Sequence, residues 1–171
     1  MSLLPIITLP DPALRLVSTP VERFDAELAQ LAGDMLETMY KAPGIGLAAI
    51  QVNVPKRLLV LDVSDSEDGE AKKPLVLINP EILKLGDTSA VYEEGCLSLP
   101  DVRIDIERPT TLTVSYQDLE GKPHELAADG LLATAIQHEI DHLDGKLIID
   151  FLTRLKRDMI IRKFKKQARI A

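Results

Sequence analysis

The segment from 137 to 142 reads Gln137-His138-Glu139-Ile140-Asp141-His142 and lies within an apolar stretch of the chain. Four residues advance an α-helix by about one turn, so His138 and His142 would project from one face and could share a metal ion. Glu139 would be close enough to reach a water molecule on that metal. Two neutral imidazoles and a spare carboxylate are what metal-assisted hydrolysis requires. The alternative is a solvated helix face with two histidines by chance, although the chain has only three histidines.

The residues around this segment predict a buried helix. We expect it to begin near Asp129-Gly130 and to end at Asp144-Gly145. Its apolar residues fall on more than one side: Leu131, Leu132, Ala135, Ile136 and Ile140. A helix that is apolar nearly all round is buried, so this one should run through the core with a sheet packed against it.

A catalytic metal site usually needs a third protein ligand and one open position. The chain has one cysteine, Cys96, in the segment Glu94-Gly95-Cys96-Leu97-Ser98. A lone cysteine is more often a small buried apolar residue than a ligand. Both interpretations of Cys96 remain open from spacing alone, because a loop can bring any residue to a metal.

A third segment, 44–51, reads Gly44-Ile45-Gly46-Leu47-Ala48-Ala49-Ile50-Gln51. Its glycines permit tight backbone geometry and close approach by another chain. The pattern of a phosphate-binding loop is lacking here. Taken alone, the segment is best interpreted as a loop packed under the core.

Taken in order, the segments 44–51, 94–98 and 137–142 resemble the three signature motifs of the peptide deformylases. The resemblance extends over essentially the whole chain, from Leu9-Pro10-Asp11-Pro12 to the last helix. One small departure is Ile50, where these enzymes often have Thr or Pro. The family removes the formyl group from the N-terminal formyl-methionine of new bacterial polypeptides, and its fold places antiparallel sheets around a central metal-bearing helix.

The resemblance implies a role for each motif residue. Cys96, His138 and His142 would bind one divalent metal, with a water molecule in the fourth place. Glu139 would take a proton from that water as general base and later return it to the departing amine. The side-chain amide of Gln51 and the backbone N–H of Leu97 would stabilise the negative charge that develops on the formyl oxygen.

The resemblance also implies the metal and the substrate site. Fe²⁺ is the usual metal of the family, Ni²⁺ and Co²⁺ are active substitutes and Zn²⁺ is generally less active. The backbone from Gly44 to Gly46 would pair with the substrate like an added strand. The methionine pocket and its rim would be formed by Ile45, Leu131, Ala135, the ring of His138 and Arg103.

Composition predicts a cytoplasmic protein with a single domain over residues 1–171. Hydrophobic residues make up 46% and aromatic residues 4%, so the core should be aliphatic. The N-terminus lacks the pattern of a signal peptide, and no apolar run has the length of a membrane span. We therefore expect neither a membrane nor a DNA partner.

The other segments predict an α+β fold with mostly antiparallel strands. We expect a first helix at 25–41, with Leu28, Leu31, Met35 and Met39 on its buried face. Strands are predicted at 57–63, 75–79, 82–85, 111–116 and 123–128. Residues 64–73 should form a solvated loop, 118–121 a turn, and His124 an exposed position rather than a ligand.

The last predicted helix, at about 153–168, is basic and amphipathic. Residues 154–171 have eight Lys or Arg and one acidic residue, a net charge of +7, whereas the other residues total −14. Its apolar face should comprise Leu155, Met159, Ile160, Phe164 and Ala168. Such a helix can dock on nucleic-acid phosphates, and the resemblance points to the ribosome, from which the substrate emerges. The alternative is a solvated face that only aids solubility.

Two other functions are compatible with parts of the sequence. A zinc endopeptidase of the His-Glu-x-x-His type usually takes its third ligand downstream, but only 29 residues follow His142, and they include Asp144, Asp150 and Asp158 but no Glu or His. A metal-stabilised, non-catalytic factor associated with the ribosome would have no use for a spare carboxylate at Glu139 or an amide at Gln51.

Overall fold

The computed structural model describes residues 2–64, 69 and 71–170. Among these residues the α-helices are α1 (Ala26–Lys41), α2 (Gly130–Leu143) and α3 (Arg154–Ile170). The strands are β1 (Gly46–Ala48), β2 (Leu58–Leu61), β3 (Leu75–Leu85), β4 (Ser89–Cys96), β5 (Leu99–Pro109), β6 (Thr111–Gln117) and β7 (Pro123–Asp129). Short 3₁₀ helices span Pro12–Arg15, Ala49–Val52 and Ile148–Phe151.

The strands form two antiparallel sheets. The larger sheet has the order β1-β2-β3-β6-β7, and β4 and β5 form a separate two-stranded sheet. The predicted α+β class with mostly antiparallel strands is confirmed. No helix in the described part of the chain is both long and apolar enough to cross a membrane.

Strand β2 of the larger sheet is buried on both of its faces. Leu58 and Val60 pack in a cluster with Met35 and Met39 of α1, whereas Leu59 and Leu61 pack in a cluster with α2. Successive side chains of a strand point to opposite faces, so a strand covered on both sides is apolar throughout. This sandwich places α2 inside the molecule, as predicted for the helix that bears the two histidines.

Helix α1 forms as the sequence predicts. The Asp25 carboxylate accepts a hydrogen bond from the Leu28 backbone N–H at 3.0 Å and so caps the helix. Leu28, Met35 and Met39 are buried, and Leu31 packs at the edge of the same cluster. The side chains of α1 therefore cover one face of the larger sheet.

A third apolar cluster lies between the β4–β5 hairpin, the 3₁₀ helix Ile148–Phe151 and α3. It includes Ile104 and Ile106 of β5 and Phe164 of α3, and Cys96 packs against it. This hairpin was not predicted from the sequence, where residues 86–109 have no expected helix or strand. Cys96 is thus held by a packed hairpin rather than by a free loop.

The predicted apolar face of α3 was partly wrong. Leu155 and Met159 are 68% and 59% exposed and Ala168 is also exposed, whereas the packed side chains are Phe164 with the partly buried Ile160 and Ile161. The packed face is therefore narrower than predicted and rotated towards Ile161, because α3 contacts the rest of the molecule along only one side.

Smaller differences concern strand boundaries. The predicted strand at 57–63 is shorter, and the two predicted strands at 75–79 and 82–85 form the single strand β3. The register of β3 shifts between Ile78 and Glu81, and Asn79 has a φ of 51°, which allows the strand to continue past Pro80. Half of the predicted loop at 64–73, residues 65–68 and 70, lies outside the described residues.

Candidate metal centre and active site

Three potential metal ligands converge where the end of β4 meets α2. The Cys96 Sγ atom lies 3.3 Å from His142 Nε2, which lies 3.3 Å from His138 Nε2. The three donor atoms are all within 4.8 Å of one another. Tetrahedral coordination at about 2.3 Å to sulfur and about 2.0–2.1 Å to nitrogen separates donors by about 3.3–3.6 Å. The spacing therefore fits one divalent ion shared by a thiolate and two imidazoles.

The charges around these donors favour a cation. Burial alone would lower the pKa of His138, but the negative charge of Glu139 and the hydrogen bonds with Cys96 and Glu94 raise that pKa well above its usual value. Burial and the nearby charge of His138 lower the pKa of His142 well below its usual value, which keeps this imidazole neutral and able to act as a ligand. The groups that favour a positive charge on His138 would equally favour a metal ion at the same place.

Glu139 faces the same centre without being one of the three donors. Its Oε2 atom lies 3.9 Å from His138 Nε2, and its Oε1 atom is buried with no hydrogen-bond partner among the described residues. Burial raises the pKa of Glu139 to about 7. A carboxylate with a pKa near the working pH, beside the metal position, can accept a proton and give it back.

The amide of Gln51 is held in one orientation. Its Oε1 atom accepts the Ala48 backbone N–H at 2.9 Å, and its Nε2 atom donates to Ser98 Oγ at 3.1 Å. The same Nε2 atom lies 3.6 Å from Cys96 Sγ, so its second hydrogen faces the metal centre. Gln51 is only 1% exposed, so little of the amide is left to solvent.

A cavity of about 630 Å³ opens onto this centre. Its wall includes nearly all the site residues that the sequence analysis named: Gly44, Ile45, Gly46, Gln51, Cys96, Leu97, Arg103, Leu131, Ala135, His138 and Glu139. His142 lies behind this wall and is 1% exposed. The structure thus brings the predicted substrate-binding residues together at one face of the metal centre.

Strand β1 forms one edge of the larger sheet and borders the cavity. It pairs with β2 on one side, and the Ile45 carbonyl accepts the Asp62 backbone N–H at 2.9 Å. Neighbouring residues in a strand direct their backbone groups to opposite sides, so the N–H and C=O of Gly46 face the free edge. That edge can accept an extended peptide as an additional strand.

Two further features shape the cavity mouth. The Arg103 guanidinium lies directly against Gly95, where even a methyl side chain would collide with it. Leu131 and Ile45 are 52% and 41% exposed although both are apolar. Apolar side chains at the mouth of a cavity suit an apolar substrate side chain.

Other polar residues do not join the three donors. Asp144 and Asp150 pair with Arg57 and Arg15, so the structure gives the zinc endopeptidase interpretation no downstream ligand among them. The His124 side chain is exposed and bonds Asp118, as expected for a residue outside the site.

The sequence analysis assigned no role to Glu94, Ser98, Arg108 or Asp141, which all lie around the donors. The Glu94 Oε1 atom lies 3.0 Å from His138 Nδ1, and Arg108 binds both Glu94 and Asp141. Glu94 and Ser98 stand within the Glu-Gly-Cys-Leu-Ser segment, which was a usable signal. No sequence pattern indicated a role for Arg108, because it lies 30 residues before His138 and outside the three motifs.

Comparison with known proteins agrees with this geometry. The family model described as Polypeptide deformylase matches residues 3–158. The peptide deformylase of Rhizobium meliloti (strain 1021) is 60% identical over 169 residues, covering 99% of this chain and 96% of that protein. The peptide deformylase of Bartonella tribocorum is 62% identical over 164 residues, covering 96% of this chain and 92% of that protein.

A solved structure shares the same fold. The crystal structure of peptide deformylase from Ehrlichia chaffeensis in complex with actinonin superposes with a TM-score of 0.91 at 42% identity. The match covers 98% of both chains. Because the family model, the relatives and the fold agree over almost the full length, this chain belongs to the peptide deformylase family.

Proposed function

We propose that this chain is a metal-dependent hydrolase that removes the formyl group from the N-terminal formyl-methionine of new polypeptides and releases formate. One observation above all supports the proposal. Cys96, His138 and His142 converge beside a buried carboxylate and a fixed amide donor, and all of these groups except His142 lie on the wall of one cavity. This combination suits hydrolysis of an amide whose oxygen becomes negatively charged.

Cys96, His138 and His142 would hold the metal. A thiolate with two imidazoles suits several divalent ions, and we assign Fe²⁺ on the family resemblance, with Ni²⁺, Co²⁺ or Zn²⁺ as alternatives in purified protein. When bound, such a cation supplies Lewis acidity, which makes a water molecule a stronger acid.

Glu139 would act as the general base. Its carboxylate lies beside the metal position, is shielded from solvent and has a pKa raised to about 7 by burial. It would accept a proton from the attacking water and then donate it to the leaving amine of methionine. A general base positioned in this way typically accelerates a reaction by about 10²–10⁴-fold.

Gln51 and Leu97 would stabilise the developing negative charge. The Gln51 amide is held by Ala48 and Ser98, so its second hydrogen, which faces Cys96 Sγ, is directed at the metal centre before substrate binds. The backbone N–H of Leu97 would supply a second donor from the residue after Cys96. Removing one donor of this kind typically costs about 3 kcal/mol of transition-state stabilisation.

The substrate would enter as an extended peptide along the free edge of β1. The backbone from Gly44 to Gly46 would pair with it, and Ile45, Leu131 and Ala135 would enclose the methionine side chain. Arg103, held against Gly95, would lie at the rim beside the following residues of the peptide. An unbranched apolar side chain suits this largely aliphatic wall.

We further propose that α3 associates with the ribosome and that the reaction takes place in the cytoplasm. Seven basic side chains of α3 are exposed: Arg154, Lys156, Arg162, Lys163, Lys165, Lys166 and Arg169. Clustered exposed cations attract RNA phosphates, and newly made formylated chains emerge at an RNA-rich surface.

Release of formate from a formyl-methionyl peptide by anaerobically prepared protein tests the activity. Turnover with an intact internal peptide bond is expected. Cleavage of internal bonds instead would indicate an endopeptidase. Stoichiometric metal binding without turnover of any formylated peptide would indicate a non-catalytic factor.

A further inference from the structure

We propose that Arg108 is a positioning residue that orients His138 towards the metal by holding Glu94. The proposal rests on the proposed metal centre and concerns a residue outside the three sequence motifs. Arg108 lies on β5, Glu94 on β4 and His138 on α2, so one guanidinium joins the hairpin that carries Cys96 to the helix that carries the histidines.

The pair Arg108–Glu94 is rigid and shielded. Arg108 Nε donates to Glu94 Oε2 at 2.7 Å and Arg108 Nη2 donates to Glu94 Oε1 at 3.0 Å. The two side chains are each only 6% exposed. A forked guanidinium–carboxylate pair fixes both planes, which a single ammonium cannot do.

Glu94 passes this orientation to His138. Its Oε1 atom, already held by Arg108, lies 3.0 Å from His138 Nδ1. A carboxylate at that nitrogen accepts the Nδ1–H, which leaves Nε2, the atom that faces Cys96 and His142, as the nitrogen that would bind the metal. The ring therefore points the correct nitrogen at the metal position before any metal arrives.

The other side of Arg108 is also occupied. Its Nη1 atom donates to Asp141 Oδ2 at 3.0 Å, one residue before His142. The ring of Phe151 covers the guanidinium, with its centroid 4.8 Å from the central carbon. Both contacts help to hold the guanidinium in the plane in which it binds Glu94. A surface ion pair would have neither contact.

The test uses Co²⁺ binding, which does not depend on turnover. Arg108→Gln should weaken Co²⁺ affinity by about 10–100-fold, the usual effect of residues behind a metal ligand, and should alter the visible absorption of the bound Co²⁺. Arg108→Lys keeps the positive charge but not the forked pair, so it should lose less Co²⁺ affinity than Arg108→Gln does. Arg15→Gln is the control for loss of a forked pair, because Arg15 binds Asp150 in a similar fork and makes no hydrogen bond with Glu94, His138 or Cys96.

A second step separates the route through Glu94 from a general effect on folding. In a Glu94→Gln background, adding Arg108→Gln should cause little further loss of affinity, because the two residues act as one unit. Unchanged Co²⁺ affinity and spectrum in Arg108→Gln would overturn the proposal. The proposal would also be overturned if Arg108→Gln lowered Co²⁺ affinity equally in the wild-type protein and in the Glu94→Gln variant.

Removing Arg108 leaves a buried carboxylate unpaired, so Arg108→Gln could fail to fold. The double variant Glu94→Gln/Arg108→Met then serves as the test, since it leaves no unpaired charge at position 94, and Asp141, which also loses Arg108, is 23% exposed and can be solvated. It should fold and still bind Co²⁺ about 10–100-fold more weakly, whereas wild-type affinity would overturn the proposal. Failure of the wild-type protein itself to bind Co²⁺ would instead contradict the proposed metal centre.

Discussion

Gly46 lies so close to Glu139 that a Cβ atom on Gly46 would be 2.5 Å from the Glu139 Oε2 atom. The same Cβ would be 3.0 Å from a methyl carbon of Leu61. The carboxylate of the proposed general base therefore occupies space that only glycine leaves free. This relationship connects the first motif of the chain to the third through packing rather than through a hydrogen bond.

We expect Gly46→Ala to displace the Glu139 carboxylate and to lower deformylation by about 100-fold, the usual cost of a misplacement near 1 Å. Metal content should stay unchanged, because the added methyl group does not point at the three donors. Steady-state kinetics with a formyl-methionyl peptide, together with metal analysis, checks both points.

Gly44→Ala is the matched control for Gly46→Ala. A Cβ atom at Gly44 would meet the end of the flexible Leu97 side chain at 2.9 Å, which can move aside. We expect a smaller loss of activity there. Equal losses in the two variants would contradict a specific role for the space beside Glu139.

Glu139→Gln should keep the metal and lower kcat by about 10²–10⁴-fold, because an amide cannot accept a proton from water. The carboxylate is beside the metal position but is not among the three donors, so metal stoichiometry should not change. Near-wild-type turnover of a formyl-methionyl peptide by this variant would remove Glu139 from the proposed mechanism.

Cys96→Ser should weaken metal binding by more than about 100-fold, since even residues behind a ligand cost about 10–100-fold. A serine hydroxyl is a poor ligand near neutral pH, and Cys96 supplies the one thiolate of the proposed donor set. Chelator competition measures the affinity. Unchanged affinity would show that Cys96 serves only the apolar cluster of the β4–β5 hairpin.

Local signals made part of this fold predictable. Asp25 caps α1 through a residue only three positions away, and His138 and His142 share one turn of a helix. Their geometry depends on near neighbours in the chain, so periodicity and capping rules apply directly. The three motifs in their order indicated the family resemblance, and the family's fold supported the prediction of antiparallel sheets.

The missed features depend on distant partners. Charged residues such as Glu94 and Arg108 are normally exposed, and the hairpin that contains them resembles a polar connection when it is read in sequence. They are buried because they pair with each other and with His138, which is 44 positions from Glu94. Likewise, the packed side of α3 is set by the hairpin beneath it rather than by the helix itself.

The pair Arg15–Asp150 should give a small, pH-dependent contribution to stability. Burial alone would raise the pKa of Asp150, but hydrogen bonds from Arg15 and from the Leu147 backbone N–H hold that pKa below its usual value. A lowered folded-state pKa means that the stabilisation is present above the unfolded value, about 3.9, and is lost as the pH falls through the folded value.

Asp150→Asn should therefore lower the free energy of unfolding by at most about 1 kcal/mol near pH 7, because the pair is partly exposed. The difference from wild type should shrink as the pH falls below about 4. Urea unfolding of both proteins at equal metal loading measures it. Asp158→Asn, at an exposed pair with Arg154 whose closest N–O distance is 3.8 Å, controls for the loss of a surface carboxylate. A difference for Asp150→Asn that persists at low pH would contradict the assignment.

Testing the role of α3 requires variants that spare its packed side. Removal of all residues after 153 would take Phe164, Ile160 and Ile161 out of the third apolar cluster, against which Cys96 also packs. Such a truncation would mix loss of charge with loss of packing. Substitution of exposed lysines and arginines changes the charge alone.

We expect the triple variant Arg162→Gln, Lys163→Gln and Lys166→Gln to lose most of its salt-sensitive co-sedimentation with ribosomes, because all three side chains are exposed on α3. Its activity on small formylated peptides should be unchanged, since α3 does not line the cavity. The matched control removes the same charge elsewhere, with glutamine at Lys41, Lys56 and Lys84, which are also exposed. Equal co-sedimentation of the two triple variants at low and high salt would leave α3 with only its packing role.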